Sequence, residues 1–421
     1  MLTHRLPFAP NRGDRIRAYH IIKELSLWAD VHVVSLAHDR DEAAEAASLE
    51  RAGVQVSIAR VPRARNLCRA AASLWTDTPL THSLLNAPAM RRVLSRATRD
   101  GRPDVVLAYC SGVAPLALVP PLAGIPLVLD LVDIDSAKWA GYATTSSAPR
   151  SWIYRRESRC LSRFEARAAR AAFVTTVVND REGDALRRFC PDARIEVVPN
   201  GVDLESMRPG DEPASEPRVV FSGVFNYAPN TEGAQWFVRE VWPRVRAVLP
   251  NAQLTLAGAY PTRAIRGLAS ADPSIEVTGK VADMRPYLWR SAVSVAPIFQ
   301  ARGVQNKVLE AVAAGLPVVV TPAVWDGLPP DVIPACRLAA DPETFARAVV
   351  SVLLMSPADR RGIAARARLS GLSWPLRLAP LMDLVERAAG SRAGSTVSSD
   401  SVTSRSQWPQ DSIDSVAAVL R

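Results

Sequence analysis

The chain reads as an α/β protein built on doubly wound parallel sheets, and three observations say so. Short β-branched apolar runs alternate with amphipathic helical stretches. The alternation occurs twice, in two series separated by the proline-rich, acidic segment 207–217. Late in the second series a glycine-containing loop opens a helix that Gly315 ends, and Pro317 leads into the run Val318-Val-Val-Thr321. With 421 residues, 48% hydrophobic and 22% charged, each series has enough material for its own core.

The elements follow in order. A first strand has to fit within Met1–Arg5 and looks cut short, as from a late start or an abbreviated strand. Residues 14–29 form an amphipathic helix with Ile16, Tyr19, Ile21, Ile22, Leu25 and Trp28 as its apolar set. Strands are expected at 31–36, 55–61 and 104–109. The stretch 111–129 has no charge and nearly the length of a membrane span. Pro115, Pro120, Pro121 and Pro126 interrupt it, so it reads as a helical turn, a loop and a buried strand over 126–131. A long helix over 150–171 carries seven arginines; such a face is either simply solvated or lies on a membrane surface. Strands at 173–178 and 195–198 complete the first series.

Pro199-Asn-Gly-Val-Asp203 is a turn leaving the first series. The second series has strands at 218–222, 253–257, 274–278, 293–296 and 317–321. Its helices are expected at 231–249, 284–289 and 307–314. Residues 342–389 read as helices. From about Ser391 the chain is serine-rich with little core material, and disorder is expected.

Charge narrows the partners. The formal net charge is +9, and residues 1–200 carry most of it, with 28 Lys+Arg against 21 Asp+Glu. A basic first half favours an anionic lipid or diphosphate-linked partner, unless arginine-rich composition alone accounts for it. Nucleic acid fits less well, because no known binding motif is present. Only four lysines occur, at 23, 138, 280 and 307. The five cysteines (68, 110, 160, 190, 336) form neither a disulfide framework nor a metal pattern. Met1 runs directly into Leu-Thr-His-Arg without a secretory leader, and a cytoplasmic location is expected.

The segment 302–321 carries the chemistry. Lys307 and Glu310 lie three residues apart on one helix face. The first N–H groups and the positive end of the helix dipole suit the phosphates of a nucleoside diphosphate. Lys307 adds a full charge, and Glu310, one turn on, can accept hydrogen bonds from ribose hydroxyls. The plainer alternative is a solvated Lys/Glu pair.

Asn306-Lys-Val-Leu-Glu-Ala-Val-Ala-Ala-Gly-Leu-Pro-Val-Val-Val-Thr321 resembles the nucleotide-sugar-binding stretch of the family 4 glycosyltransferases. Further segments match in order: 5–17, Val198-Pro-Asn-Gly-Val-Asp203, Phe221-Ser-Gly223, Leu256-Ala-Gly258 and Val277-Thr-Gly-Lys-Val-Ala-Asp283. Residues 3–20, 131–139 and 225–237 resemble the sugar transferases of bacterial exosortase (PEP-CTERM) and exopolysaccharide systems.

The resemblance implies a GT-B fold, two Rossmann-like doubly wound domains facing a cleft. Residues 1–205 would form the acceptor-side domain and 206–375 the nucleotide-sugar domain. Residues 376–390 would cross back to the first domain, and 391–421 would be the disordered tail.

The resemblance also implies site residues. Glu310 matches the second glutamate of the family's Glu-x7-Glu motif and would hold the ribose. Arg302 stands where the first glutamate is expected and would meet phosphate or an acidic sugar. Gly303, Val304, Gln305, Asn306 and Lys307 would present backbone N–H groups to the diphosphate. Gly223 would open the donor loop. The Arg/Lys pair that many relatives carry after it is absent, and Lys307 would compensate. Lys280, Val281 and Asp283 match the base-pocket stretch. Gly13 matches the first domain's phosphate-side loop, where Arg15 or Arg17 would join Lys307 in stabilising the leaving diphosphate. Asp133 and Asp135 form an Asp-x-Asp triplet of the kind that holds a divalent metal elsewhere. In the first domain they read as acceptor-side or structural residues, with no metal ligated and no cofactor beyond the nucleotide-diphosphate sugar.

The implied activity is metal-independent, retaining sugar transfer to a glycan or polyprenyl-diphosphate-linked acceptor in cell-surface polysaccharide synthesis. The implied location is cytoplasmic, with peripheral contact to the inner membrane through the basic first domain. A nucleotide-sugar epimerase of the same fold and a non-catalytic scaffold remain the alternatives.

Overall fold

The structure is a computed structural model and describes residues 1–8, 13–211, 214, 216–301 and 304–393. The chain forms two compact units. Among the described residues the first comprises Met1–Pro199 together with the residues from Arg377 to Ala393; the second comprises Asn200–Leu376. The helix Trp374–Ala393 thus begins in the second unit and continues in the first. The expected tail over 391–421 lies outside the described residues from 394 on.

The first unit holds seven parallel strands: β1 (Leu2–Thr3), β2 (His32–Ala37), β3 (Gln55–Arg60), β4 (Val106–Tyr109), β5 (Leu127–Val132), β6 (Val174–Val177) and β7 (Ile195–Val197). Their order is β3-β2-β1-β4-β5-β6-β7. β1 has two residues yet sits at the centre, with Leu2 registered against Val34 on one side and Ala108 on the other. The inner strands β4 and β5 are nearly continuous apolar runs, buried along almost their whole length, as in parallel sheets covered on both faces. Helices Gly13–Leu25 and Arg150–Ala171 agree with the sequence reading. The proline-broken segment contains only the turn Ala114–Ala117 before β5. No helix among the described residues is long and apolar enough to cross a membrane.

The second unit holds six parallel strands: β8 (Arg218–Ser222), β9 (Gln253–Ala257), β10 (Ile275–Gly279), β11 (Val293–Ala296), β12 (Val318–Val320) and β13 (Cys336–Leu338). Their order is β10-β9-β8-β11-β12-β13. One core of Val219, Phe221, Leu254, Val295, Leu309 and Val319, all at or below 1% exposure, joins sheet and helices. The helix expected over 231–249 is two α-helical pieces, Ala228–Trp236 and Trp242–Val248, joined by the π-helical turn Phe237–Val241. Pro243 has no N–H to donate back along the helix, and the ladder widens just ahead of it.

In both sheets the strand order reverses once, between β1 and β4 and between β8 and β11. Loops after the carboxyl ends of such strands diverge and leave a crevice, where ligands of open α/β sheets bind.

Candidate functional site

The reversal in the second unit is flanked by two segments singled out from sequence. Gly223 follows β8, and helix Asn306–Ala313 follows β11. That helix ends as expected: Gly315 adopts φ +86°, Gly315 N–H donates to Val312 O and Leu316 N–H to Ala311 O. Its buried face is Val308, Leu309, Ala311, Val312 and Ala313, which leaves Lys307 and Glu310 turned from the core.

Lys307 reaches back across the reversal. Its Nζ donates to Asn230 Oδ1 at 2.7 Å and lies 4.9 Å from the centre of the Phe221 ring. Asn230 is 6% exposed and is fixed by its own Nδ2 donating to Val224 O at 2.9 Å. Gly223 makes room for this. A Cβ there would lie 2.8 Å from Asn230 Nδ2 and 3.1 Å from Lys307 Nζ. Gly258, after β9, has φ +146°, and a Cβ on it would come within 1.9 Å of Gly223 O. The two glycine loops are therefore in backbone contact, and Gly223 N–H donates to Ala257 O at 2.9 Å.

Burial lowers the Lys307 pKa to about 7, with the nearby Glu310 carboxylate opposing the shift. Burial raises Glu310 to about 7, opposed by Lys307. Desolvation works against both charges. A phosphate at Lys307 would restore its proton, and hydroxyl donors at Glu310 would restore its carboxylate. Among the described residues no donor hydrogen-bonds the Glu310 carboxylate. Asn306 opens the helix, and its Oδ1 accepts from Asn200 Nδ2 at 3.1 Å; the expected turn at 199–203 is an irregular segment whose Val202 bridges to Ser373. Val304, Gln305 and Asn306 are half-buried; Arg302 and Gly303 lie outside the described residues.

Three other expected members follow the strand β10. Lys280 is exposed at the end of the edge strand β10, with Val281 half-buried beside it. The Asp283 carboxylate is engaged by Arg285, through its backbone N–H at 2.9 Å and its guanidinium at 2.8 Å. This i, i+2 contact forms an Asx turn just ahead of the helix Arg285–Trp289.

Arg15 and Arg17 stand in ion pairs within the first unit. The Arg17 guanidinium is 1% exposed and forks onto Asp130 at 2.8 and 3.3 Å, and it also donates to Pro199 O. Thr176 Oγ1 supplies a further donor to Asp130. Arg15 donates to Glu42, Glu45 and Phe8 O. Both guanidiniums are thus spent on ion pairs inside the first unit, where they lock helix Gly13–Leu25 to the sheet and to helix Arg40–Arg51. Gly13 is the first residue of its helix.

The reversal of the first sheet brings together a second polar cluster. Cys110 and Val132, at or just after the ends of β4 and β5, have φ of 74° and 65°. Left-handed backbone at a β-branched residue costs about 1–3 kcal/mol and concentrates at working sites. Cys110 Sγ lies 3.2 Å from His4 Nδ1, and the His4 ring stacks on Tyr109. Burial pushes the Cys110 thiol up to about 12 and His82 down to about 4. Ser111 Oγ donates to Asp135, whose other oxygen is 3.4 Å from Lys138 Nζ. Asp133 lies in the bend between β5 and helix Asp135–Thr145. Glu165, fully buried, accepts from Ser136 N–H and Oγ; burial, and then the Asp135 charge, raise it to about 8.

Asn230, Phe221 and Asn200 were not singled out from sequence. Asn230 and Asn200 do stand inside segments that carried the resemblance, which was the one signal the sequence offered for them.

Comparison with known proteins fits this geometry. A family model described as "Glycosyl transferase 4-like domain" matches residues 13–201, and one described as "Glycosyl transferases group 1" matches residues 216–354. No curated protein matches the sequence. Among solved structures, sucrose-phosphate synthase from Thermosynechococcus elongatus is similar at TM-score 0.68 and 17% identity, over 93% of this chain and 98% of that one. HepE of Anabaena in complex with UDP and glucose is similar at TM-score 0.60 and 13% identity, over 94% and 98%. WaaG, a glycosyltransferase involved in lipopolysaccharide biosynthesis, is similar at TM-score 0.59 and 14% identity, over 94% and 99%. These likenesses establish the GT-B fold.

Proposed function

Since the chain is a glycosyltransferase of GT-B fold, with a 4-like first domain and a group 1 second domain, we propose that its second unit binds a nucleotide-diphosphate sugar at the β8/β11 reversal. One observation carries this reading: Lys307 is held by Asn230 over the Gly223 loop, at the carboxyl ends of the strands and one turn from Glu310. The UDP and glucose bound by HepE support a donor of that kind.

In this reading the glycine loop and the start of helix Asn306–Ala313 receive the diphosphate, Lys307 neutralises it, and Glu310 accepts from the ribose. Arg302 and Gly303 are proposed to complete the phosphate side, and Lys280, Val281 and Asp283 to border the base. The bond between the anomeric carbon and the diphosphate oxygen breaks. The acceptor oxygen forms the new bond on the same face, and its proton passes to a phosphate oxygen. Lys307 stabilises the charge that gathers on the departing diphosphate. This retaining course needs no protein nucleophile and no metal.

The polar cluster with Asp133, Asp135 and His4 is proposed to face a glycan or polyprenyl-diphosphate-linked acceptor. Cell-surface polysaccharide synthesis of the exosortase-associated kind is supported by the sequence motifs alone. Peripheral placement on the inner membrane is supported by the basic first domain.

The test is product analysis. Purified protein is given UDP-, GDP- and dTDP-sugars, with and without a lipid-linked glycan and with EDTA. Release of nucleoside diphosphate that depends on acceptor and survives EDTA supports the reading. Interconversion of the sugar without acceptor would assign epimerase chemistry instead.

A further inference from the structure

Helix Arg63–Ser73 on the first unit is amphipathic the wrong way round for water. Asn66, Ala70 and Ser73 make its inward face. Ala64, Cys68, Ala71 and Ala72 line the opposite, outermost face and are exposed. Leu67 borders that line at 63% exposure, and Trp75, in the turn that follows, is 86% exposed. Arg63, Arg65 and Arg69 flank it, all exposed. An apolar ridge edged by guanidiniums suits a lipid interface, where apolar groups sink below the headgroups and arginines stay among the phosphates.

The ridge is held in place. Arg156, buried on helix Arg150–Ala171, donates to the carbonyls of Ser73, Leu74, Thr76 and Thr78. Glu157, fully buried beside it, accepts from Leu80 N–H, Thr81 N–H and Thr81 Oγ1. Trp75 is therefore presented on a pinned turn, without cover. The same helix turns a second basic stripe outward: Trp152, Arg155, Arg159, Arg163, Arg167 and Arg170, all exposed at three- and four-residue spacing. Arg163 bridges to Asp77 at 3.0 Å, so stripe and turn are neighbours. Asp77 is the one acid in 63–78, and both acids of 150–171, Glu157 and Glu165, are fully buried. The surface carries a large excess of guanidiniums over its one exposed acid, with Trp75 and Trp152 exposed on it.

We propose that this face, the Leu67/Trp75 ridge with the outward arginines of helix Arg150–Ala171, docks the protein on an anionic phospholipid surface. Charge complementarity favours lipid phosphates over an uncharged partner, and Trp and Leu supply the shallow insertion. The proposal deepens the peripheral placement given above and rests on it.

The test uses full-length protein sedimented with vesicles of phosphatidylcholine, alone or mixed with phosphatidylglycerol. Wild type is expected to sediment with the mixed vesicles only. Release is expected as ionic strength rises from about 0.1 to about 1 M, where the screening length falls from about 10 to about 3 Å. The double variant Leu67→Ser/Trp75→Ser should lower the bound fraction about tenfold. Arg65→Gln/Arg69→Gln/Arg159→Gln should erase the preference for phosphatidylglycerol. Both variants should keep the wild-type melting temperature and its shift with nucleoside diphosphate, which separates docking from folding and from donor binding. Equal binding by the double variant would overturn this face and leave peripheral placement standing. No binding by wild type would overturn both. Lipid-independent self-association lost in the variant would assign the face to a second copy of the chain and overturn the lipid proposal.

Discussion

Lys307 is an ammonium kept in a half-buried place by an amide oxygen, a ring face and a carboxylate one turn away. Lys307→Met keeps length and removes charge. It should lower nucleoside-diphosphate affinity and turnover about 10²-fold while sparing the melting temperature, as titration and product release would show. With its pKa near 7, Lys307 is cationic below that pH and must take up a proton to meet phosphate above it. Binding near pH 7.5 should therefore take up more protons in wild type than in Lys307→Met, read from calorimetry in buffers of different ionisation enthalpy. Gly223→Ala should act on the same atoms by pushing Asn230 and Lys307 aside, and should cost affinity more than stability.

Glu165 titrates in the opposite sense. Its folded pKa, about 8, stands above the ordinary 4.5, so its contribution to stability is full below pH 4.5 and is lost as pH rises through 8. Glu165→Gln should flatten that part of the stability–pH curve in denaturant melts at about pH 5 and about pH 8.5; an unchanged slope would remove Glu165 as its source.

Lys307, Glu310 and Gly223 were legible because each belongs to a local pattern of loop, helix spacing and punctuation. Asn230 was not, because its bond to Lys307 spans 77 residues and exists only once β8 and β11 are neighbours. The ion pairs of Arg15 and Arg17 were not legible, because their carboxylate partners at 42, 45 and 130 are remote in sequence.

Among the elements, the long and strongly punctuated ones were legible. Helix Arg150–Ala171 and strands β8, β9 and β11 stand where periodicity and flanking turns put them. β13 was missed because three residues carry no period, and its place is set by pairing with β12. The π-turn before Pro243 was missed because apolar spacing continues through it. The turn over 73–78 depends on Arg156, whose loss would leave several carbonyls without donors and Glu157 without its cation. Arg156→Ala should destabilise by about 3–5 kcal/mol, and Arg156→Lys should not restore it, because an ammonium cannot reproduce the planar fork. Denaturant melts of the two variants check both statements. Gly258→Ala should cost about 2–4 kcal/mol, from positive φ and from contact with Gly223 O.

On the scale of the whole molecule, two parallel sheets each reverse their strand order once, and each reversal collects polar groups that a plain core would not keep. Ammonium and carboxylate gather in the second unit; strained backbone, histidines and carboxylates gather in the first. The twofold α/β alternation made this division legible. The chemistry of the first unit's cluster was not, since His4, His82, Cys110 and Glu165 come together only through the sheet.

Thermal unfolding with UDP, GDP, dTDP and their sugars, with and without EDTA, tests the central claim most directly. A ligand that binds only the folded state raises the melting temperature by mass action, by the equivalent of about 2.7 kcal/mol at 100 times its Kd. The account predicts a shift by one nucleotide class that survives EDTA and is lost in both Lys307→Met and Glu310→Ala. No shift with any nucleotide, or the same shift in both variants, would contradict it.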